Sequence, residues 1–110
     1  NNWILKEVEY LTLSDIIPKK EHLKFYPAYP NPFNPKTSIL YYVPENFGEI
    51  NSSIKIFDIR GSLVEQFPPN RSYPGLNTLS WDAKNQGSGI YFIQLKARDF
   101  FYEQKVQLIK

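Results

Sequence analysis

Residues 88–95 read SGIYFIQL, and this stretch decides the fold class. Tyr91, Ile93 and Leu95 form one apolar row, and the residues between them point to the opposite side, which is the period of a β-strand. The residues just before, 85–89, read NQGSG and are typical of a turn. A strand that alternates in this way belongs to a sheet with one buried side and one solvent-facing side.

The same period of two recurs on both sides of this strand, with turn signals between the runs. Residues 58–61 predict a tight hairpin turn that Leu63–Phe67 follows, residues 68–75 predict a loop, and residues 101–110 predict a last strand. About six or seven short strands without a helix indicate a β-sandwich or a small barrel, and the clean alternation favours the all-β, antiparallel sandwich. The side chains expected inside it are Ile39, Tyr41, Ile54, Ile56, Leu79, Trp81, Tyr91, Ile93, Leu95, Val106 and Leu108.

A proline-rich segment precedes the first alternating strand. Residues 26–35 read YPAYPNPFNP and hold four prolines, which exclude a helix and remove backbone donors. Asn31 and Asn34 are residues that set turns through their own side chains. We therefore expect a stiff, extended lead-in, with Phe33 inserted into one end of the core.

Composition and length bound the remaining possibilities. The chain has 110 residues, no cysteine, no methionine and a formal net charge of +2, so disulfides and thiolate metal sites are excluded and the charge does not indicate nucleic acid binding. No apolar run reaches the roughly 20 residues that span a bilayer. The absence of an initiating methionine predicts a fragment of a larger protein. We expect residues 1–24 to be the end of a preceding domain and a linker, and residues 25–110 to be the sandwich.

The residues that carry chemistry do not form a catalytic constellation in the sequence. His22 is the single histidine and falls in the predicted linker, so it lacks the packed neighbours that a catalytic base or a zinc site requires. Asp58 and Asp82 each follow a predicted strand, where an aspartate side chain commonly sets a turn. Too few oxygen ligands lie near Asp82 and Asn85 to indicate a calcium site. We expect no enzyme activity, no cofactor and no metal.

Aromatic residues leave one alternative function open. Tyr42, Phe92, Phe100 and Tyr102 are candidates for an exposed platform on which sugar rings stack, although aromatics in a sandwich more often belong to the core or to cross-strand pairs. A platform of this kind would make the chain a carbohydrate-binding or adhesive accessory module of a surface enzyme.

Five blocks of sequence resemble, in order, the type A C-terminal sorting domain of the type IX secretion system. They are residues 29–41, 56–64, 75–82, 88–92 and 105–110, and the resemblance as a whole covers Phe25 to Lys110. The residues that carry the motifs are Asn31, Pro32, Phe33, Asn34, Pro35, Gly61, Trp81, Gly89 and Tyr91. The loop between Trp81 and Gly89 is shorter than in many members of that family.

This resemblance implies both a fold and a function. The fold is immunoglobulin-like, as in the related flagellar hook-capping protein, with about seven strands. The function is a bacterial, non-catalytic export signal. An upstream cargo domain in the same chain crosses the inner membrane by a separate N-terminal signal. The secretion machinery of the periplasm and outer membrane then recognises the sorting domain. The protein reaches the outer-membrane surface or the medium, often with the domain removed there.

The last strand is the expected recognition element, because only there is the position fixed relative to the chain end. Val106 and Leu108 should point inward and hold the strand in the sheet. Lys105 and Lys110 should present charge beside an edge with unpaired backbone groups, to which a partner strand could add.

Overall fold

The computed structural model describes residues 22–110, apart from the side chains of residues 69 and 70. This part of the chain contains seven strands and one short 3-10 turn at Glu45–Phe47. The strands are β1 (Lys24–Phe25), β2 (Lys36–Val43), β3 (Ile50–Asp58), β4 (Leu63–Ser72), β5 (Gly75–Asp82), β6 (Gly89–Ala97) and β7 (Phe100–Leu108). Residues 1–21, which make up most of the predicted end of a preceding domain and linker, lie outside the described residues.

The strands form two sheets that face each other. One has the order β1-β2-β5 and the other the order β4-β3-β6-β7, and every pair of these strands is antiparallel. The predicted all-β, immunoglobulin-like sandwich is therefore confirmed. In the four-stranded sheet β4 and β7 are the two edges, so the last strand of the chain has a neighbouring strand on one side only.

The core lies between the sheets and follows the period of two. Ten of the eleven side chains predicted inside are buried, among them Trp81, which is 2% exposed, and Tyr91, which is 6% exposed. Leu79 is the exception: it is only partly buried and packs against the core from β5, an edge strand of the smaller sheet. Alternation alone fixes the face of a residue, whereas the position of its strand in the sheet decides how completely it is covered.

A ring of three buried hydroxyl groups also joins the two sheets. Tyr41 of β2 lies 2.9 Å from Ser52 of β3 and 2.6 Å from Ser72 of β4, and the two serines are 2.7 Å apart. Each hydroxyl can donate one hydrogen bond and accept another, so all three are satisfied without water. No local pattern in the sequence predicts this ring, because its members are brought together only by the pairing of distant strands.

The predicted turn at residues 58–61 is confirmed. The Gly61 amide donates to the Asp58 carbonyl over 3.0 Å, and Gly61 has φ +87°. The Asp58 carboxylate accepts the backbone amides of Arg60 and Ser62, each over 2.9 Å. These bonds, that from Ser62 first, hold the pKa of Asp58 below its usual range.

Three predicted boundaries are corrected by the structure. The loop expected at residues 68–75 is mostly strand, because β4 continues to Ser72; its prolines are tolerated since β4 is an edge strand. Leu23 is fully buried and Lys24 begins β1, so the sandwich starts two residues inside the predicted linker. The last strand spans Phe100–Leu108 and not residues 101–110.

Candidate functional site at the last strand

Strand β7 holds the predicted recognition residues in two distinct environments. Val106 and Leu108 are each 1% exposed and belong to the core, as expected from their spacing. Lys105 is exposed on the opposite side of the same strand. The structure thus places two of these side chains where they hold β7 in the sheet and one where a partner could reach it.

The edge of β7 near the chain end is not open, which corrects the expectation of unpaired backbone groups there. The Asn31 side-chain oxygen accepts the Gln107 amide over 2.9 Å, and the Asn31 side-chain nitrogen donates to the Lys105 carbonyl over 3.3 Å. The Phe33 amide donates to the Gln107 carbonyl, and the Ile109 amide donates to the Phe33 carbonyl, both over 2.9 Å. We call this contact of residues 31–33 with residues 105–109 the seam.

The seam continues along the proline-rich segment and ties it to both sheets. The Gln104 side chain accepts the Ala28 amide and donates to the Tyr26 carbonyl, each over 2.8 Å. On the other side, the Tyr29 amide donates to the Ser38 carbonyl of β2 over 3.2 Å. The segment is therefore a series of bends that covers one side of the sandwich, and not the stiff, extended lead-in that its prolines predict.

Phe33 anchors the seam in the core, as predicted. Its ring is 2% exposed and lies 5.3 Å from the Trp81 ring, which in turn meets Tyr91 edge-on at 5.4 Å. The Tyr91 hydroxyl donates to the Gly87 carbonyl over 2.6 Å. Burial of the ring, with a smaller contribution from the Asp58 carboxylate, raises the pKa of Tyr91 above its ordinary value.

Lys110 is held against the loop between β5 and β6, so its charge is not presented freely. Its amide donates to the Ser88 hydroxyl over 2.9 Å, and its ammonium group donates to the Lys84 carbonyl over 2.7 Å. Sequence reasoning found neither these contacts nor the roles of Asn31 and Gln104. The partners lie 22 to 78 residues apart, beyond the reach of any local pattern.

A hollow of about 260 Å³ lies beside the seam on the outer face of the four-stranded sheet. It is lined by Asn31, Pro32, Ile90, Lys105, Val106 and Gln107. Lys105 supplies a cation, whereas Ile90 and Pro32 supply apolar surface. This hollow brings the proline-rich motif and the last strand, which are distant in sequence, to one place on the surface.

The other candidate residues have structural roles. Asp82 accepts the Lys84 amide over 3.1 Å, so it sets a turn, as Asp58 does. His22 is exposed.

Within residues 22–110, no group of three histidine, aspartate or glutamate side chains is placed to hold a metal ion. No helix in this part of the chain is long and apolar enough to cross a membrane.

The aromatic residues proposed as a sugar platform do not share one surface. Tyr42 lies on the smaller sheet, and Phe92 lies on the outer face of the larger one. Phe100 and Tyr102 occupy inward-facing positions of β7, with their rings stacked 6.1 Å apart, and the Tyr102 hydroxyl donates to the Leu23 carbonyl over 2.9 Å. The sequence placed these four together because the period of two does not show which strands share a sheet, and Tyr42 belongs to a different sheet from the other three.

The described residues form a β-sandwich module in which the last strand is hydrogen-bonded, through the seam, to the proline-rich segment. Comparison with known families agrees: the family model described as "Secretion system C-terminal sorting domain" matches residues 27–110. The chain therefore belongs to this family of type IX secretion sorting domains. The match includes both the proline-rich segment and β7.

A search of curated proteins gave no match. Among solved structures, the chain is similar to dimeric latent PorU from Porphyromonas gingivalis, with a TM-score of 0.62 and 18% sequence identity. The similarity covers 79% of this chain and 9% of the PorU chain. At this identity the likeness supports the fold of the sandwich.

Proposed function

We propose that this domain is the export signal of a larger bacterial protein, read by the type IX secretion machinery of the periplasm and outer membrane. The observation that carries the proposal is the family match over residues 27–110. The upstream cargo is then delivered to the cell surface or the medium. The domain itself catalyses no reaction, and its role is to be recognised.

The seam suggests how such a signal would report that the domain is folded. Phe33 bonds to Gln107 and Ile109, so this part of the proline-rich segment finds its hydrogen-bond partners only after residues 107–109 have been synthesised. Phe33 also packs against Trp81, which ties this pairing to the core. A machine that recognises the surface beside the seam would thus bind the domain only in its folded form.

Within this proposal the predicted recognition residues take different roles. Val106 and Leu108 support the site from the core, because their removal would leave cavities. Lys110 fastens the chain end to the loop at Lys84 and Ser88. Lys105 is the exposed member beside the hollow and is the residue that we expect a partner to contact.

A reporter fused ahead of residue 22 tests the proposal in a host that has the machinery. We expect the intact chain to direct the reporter to the medium or surface, and deletion of residues 106–110 to stop export while the reporter stays folded. Lys105→Ala should weaken export with little change in melting temperature, since an exposed charge contributes roughly 0–1 kcal/mol to stability. Lys36→Ala, an exposed lysine on the other sheet, is the control.

Two results would contradict the proposal. One is failure of the intact fusion to leave the periplasm of a competent host. The other is full secretion of the five-residue deletion, which would place the signal elsewhere in the chain. Saturable glycan binding by the intact chain, without any effect on export, would favour the accessory-module alternative.

A further inference from the structure

The outer face of the four-stranded sheet carries a continuous row of apolar side chains. Phe57 of β3 stands directly opposite Leu63 of β4 on one side and Phe92 of β6 on the other. Ile90 lies two residues before Phe92 on the same face, and it shares the hollow beside the seam with Pro32. We call these five residues the apolar stripe.

The stripe is accessible but does not protrude far. Leu63 is 49% exposed, whereas Phe57, Ile90 and Phe92 are half-buried, so their rings and side chains lie close to the sheet. Glutamines lie beside the stripe on the same face. Gln66 and Gln94 stand on either side of Lys55, and Gln107 stands opposite Ile90. A half-buried apolar centre with a polar rim matches the anatomy of a protein–protein interface.

The charges on this face are predominantly positive. Lys105 stands directly opposite Phe92, and Lys55 lies two residues before Phe57 on the same side of β3. Lys96 lies on the same face of β6. Glu103 is the only carboxylate that the strand register puts on this face among the described residues, and it accepts a hydrogen bond from Gln94 over 3.0 Å. None of the ion pairs formed within residues 22–110 involves these three lysines.

We propose that the apolar stripe, with Lys55 and Lys105 beside it, docks a protein partner that presents apolar side chains flanked by carboxylates. The inference rests on the proposed function, since it specifies the surface that the secretion machinery would contact. Charge complementarity selects an acidic partner. The half-buried state of Phe57, Ile90 and Phe92 and the polar rim of glutamines favour a protein surface over a lipid bilayer.

The test uses the full chain fused behind a reporter in a host with the machinery. Phe57→Thr with Phe92→Thr removes the centre of the stripe and keeps residues that suit a strand. Lys55→Glu with Lys105→Glu reverses the charge beside it. We expect each pair of substitutions to lower secretion about tenfold or more, as removal of central interface groups does, and Lys55→Arg with Lys105→Arg to preserve it.

Matched controls lie on the other sheet. Tyr42→Thr with Leu76→Thr alters an aromatic and an aliphatic side chain that are directly opposite each other on β2 and β5, and Lys24→Glu with Lys36→Glu reverses two exposed lysines. We expect both control pairs to be secreted normally. Melting curves of all variants separate loss of the surface from loss of the fold.

The outcomes distinguish this inference from the proposed function. Secretion of the wild-type fusion together with equal secretion of folded stripe variants would overturn the docking surface alone. Failure of the wild-type fusion would overturn the export role itself. Binding of the wild-type chain to vesicles of phosphatidylcholine and phosphatidylglycerol, lost in the stripe variants, would replace the protein partner by an anionic membrane.

Discussion

At the scale of single residues, the hairpin turn after β3 offers the cleanest test of backbone conformation. Gly61 has φ +87°, and a Cβ added there would meet no atom within 4 Å. Gly61→Ala should therefore cost about 1–2 kcal/mol of unfolding free energy through backbone conformation alone. Gly87→Ala is the control, because its added Cβ also meets nothing within 4 Å and no unfavourable φ applies there. Urea denaturation that shows equal stability for both variants would contradict the assigned turn geometry.

The phenol of Tyr91 should make the stability of the folded chain depend on pH. Because the folded state raises the pKa of its phenol above the ordinary value of 10.0, the folded chain holds the proton more tightly than the unfolded chain. Stability should then fall as pH rises above about 10. Tyr91→Phe should reduce this alkaline loss, whereas Tyr29→Phe, at a side chain that is 78% exposed, should leave it unchanged. Melting temperatures measured between pH 8 and pH 11, flanking that ordinary value, check this, and an identical alkaline slope in Tyr91→Phe would refute it.

At the scale of elements, the seam predicts which amides of the last strand are protected from exchange with solvent. The Gln107 amide is bonded by the Asn31 side chain, whereas the Ile109 amide is bonded by the Phe33 backbone. Asn31→Ala should therefore speed hydrogen exchange at Gln107 by about tenfold and change Ile109 less, because local opening sets the exchange rate. Asn34→Ala is the control on the same segment. If the Gln107 amide exchanges at the same rate in Asn31→Ala as in the unsubstituted chain, the Asn31 side chain does not protect this edge of β7.

The hydroxyl ring between β2, β3 and β4 predicts a non-additive response to substitution. Ser72→Ala removes one member and leaves the Tyr41 and Ser52 hydroxyls each short of a partner, so we expect a loss of about 1–3 kcal/mol. Replacing all three by Tyr41→Phe, Ser52→Ala and Ser72→Ala should cost less than the sum of the single losses, since no unpaired hydroxyl remains buried. Denaturant titrations of the series measure this. Strictly additive losses would mean that the three groups act independently.

The elements also show where prediction from sequence succeeded and where it stopped. The face of Tyr91, Val106 and Leu108 followed from the period of two, because strand geometry makes side-chain direction a local property. The environment of the chain end did not follow, because Asn31 meets Gln107 across 76 positions and only the assembled sheet brings them together. Its position between two prolines predicts a local turn residue at Asn31, whereas its side chain bonds the distant backbone of Gln107.

At the scale of the whole molecule, both ends of the described sandwich are folded as one unit. The N-terminal part enters through Leu23, which is fully buried and whose carbonyl accepts the Tyr102 hydroxyl of β7. The same strand is held further along by the seam. Strand β7 is thus bonded near its start to Leu23 and near its end to the proline-rich segment. Loss of β7 would therefore remove contacts along the whole length of the sandwich.

This coupling predicts that two truncations after Lys105 differ strongly in their free energy of unfolding. Deleting residues 109–110 removes the Ile109 and Lys110 hydrogen bonds but no buried side chain, so we expect a loss of about 1–2 kcal/mol and a transition that is still cooperative. Deleting residues 106–110 also removes Val106 and Leu108 from the core, at about 2–5 kcal/mol for each large apolar side chain lost. That sum approaches the whole stability of a small domain, about 5–15 kcal/mol, so the longer deletion should be unfolded.

Circular dichroism melts of both truncations test this prediction, with the full chain as reference. A cooperative melt of the longer deletion near the full-chain temperature would show that residues 106–110 are not required for the fold. Loss of export in this deletion would then report loss of a recognised surface and not unfolding of the domain.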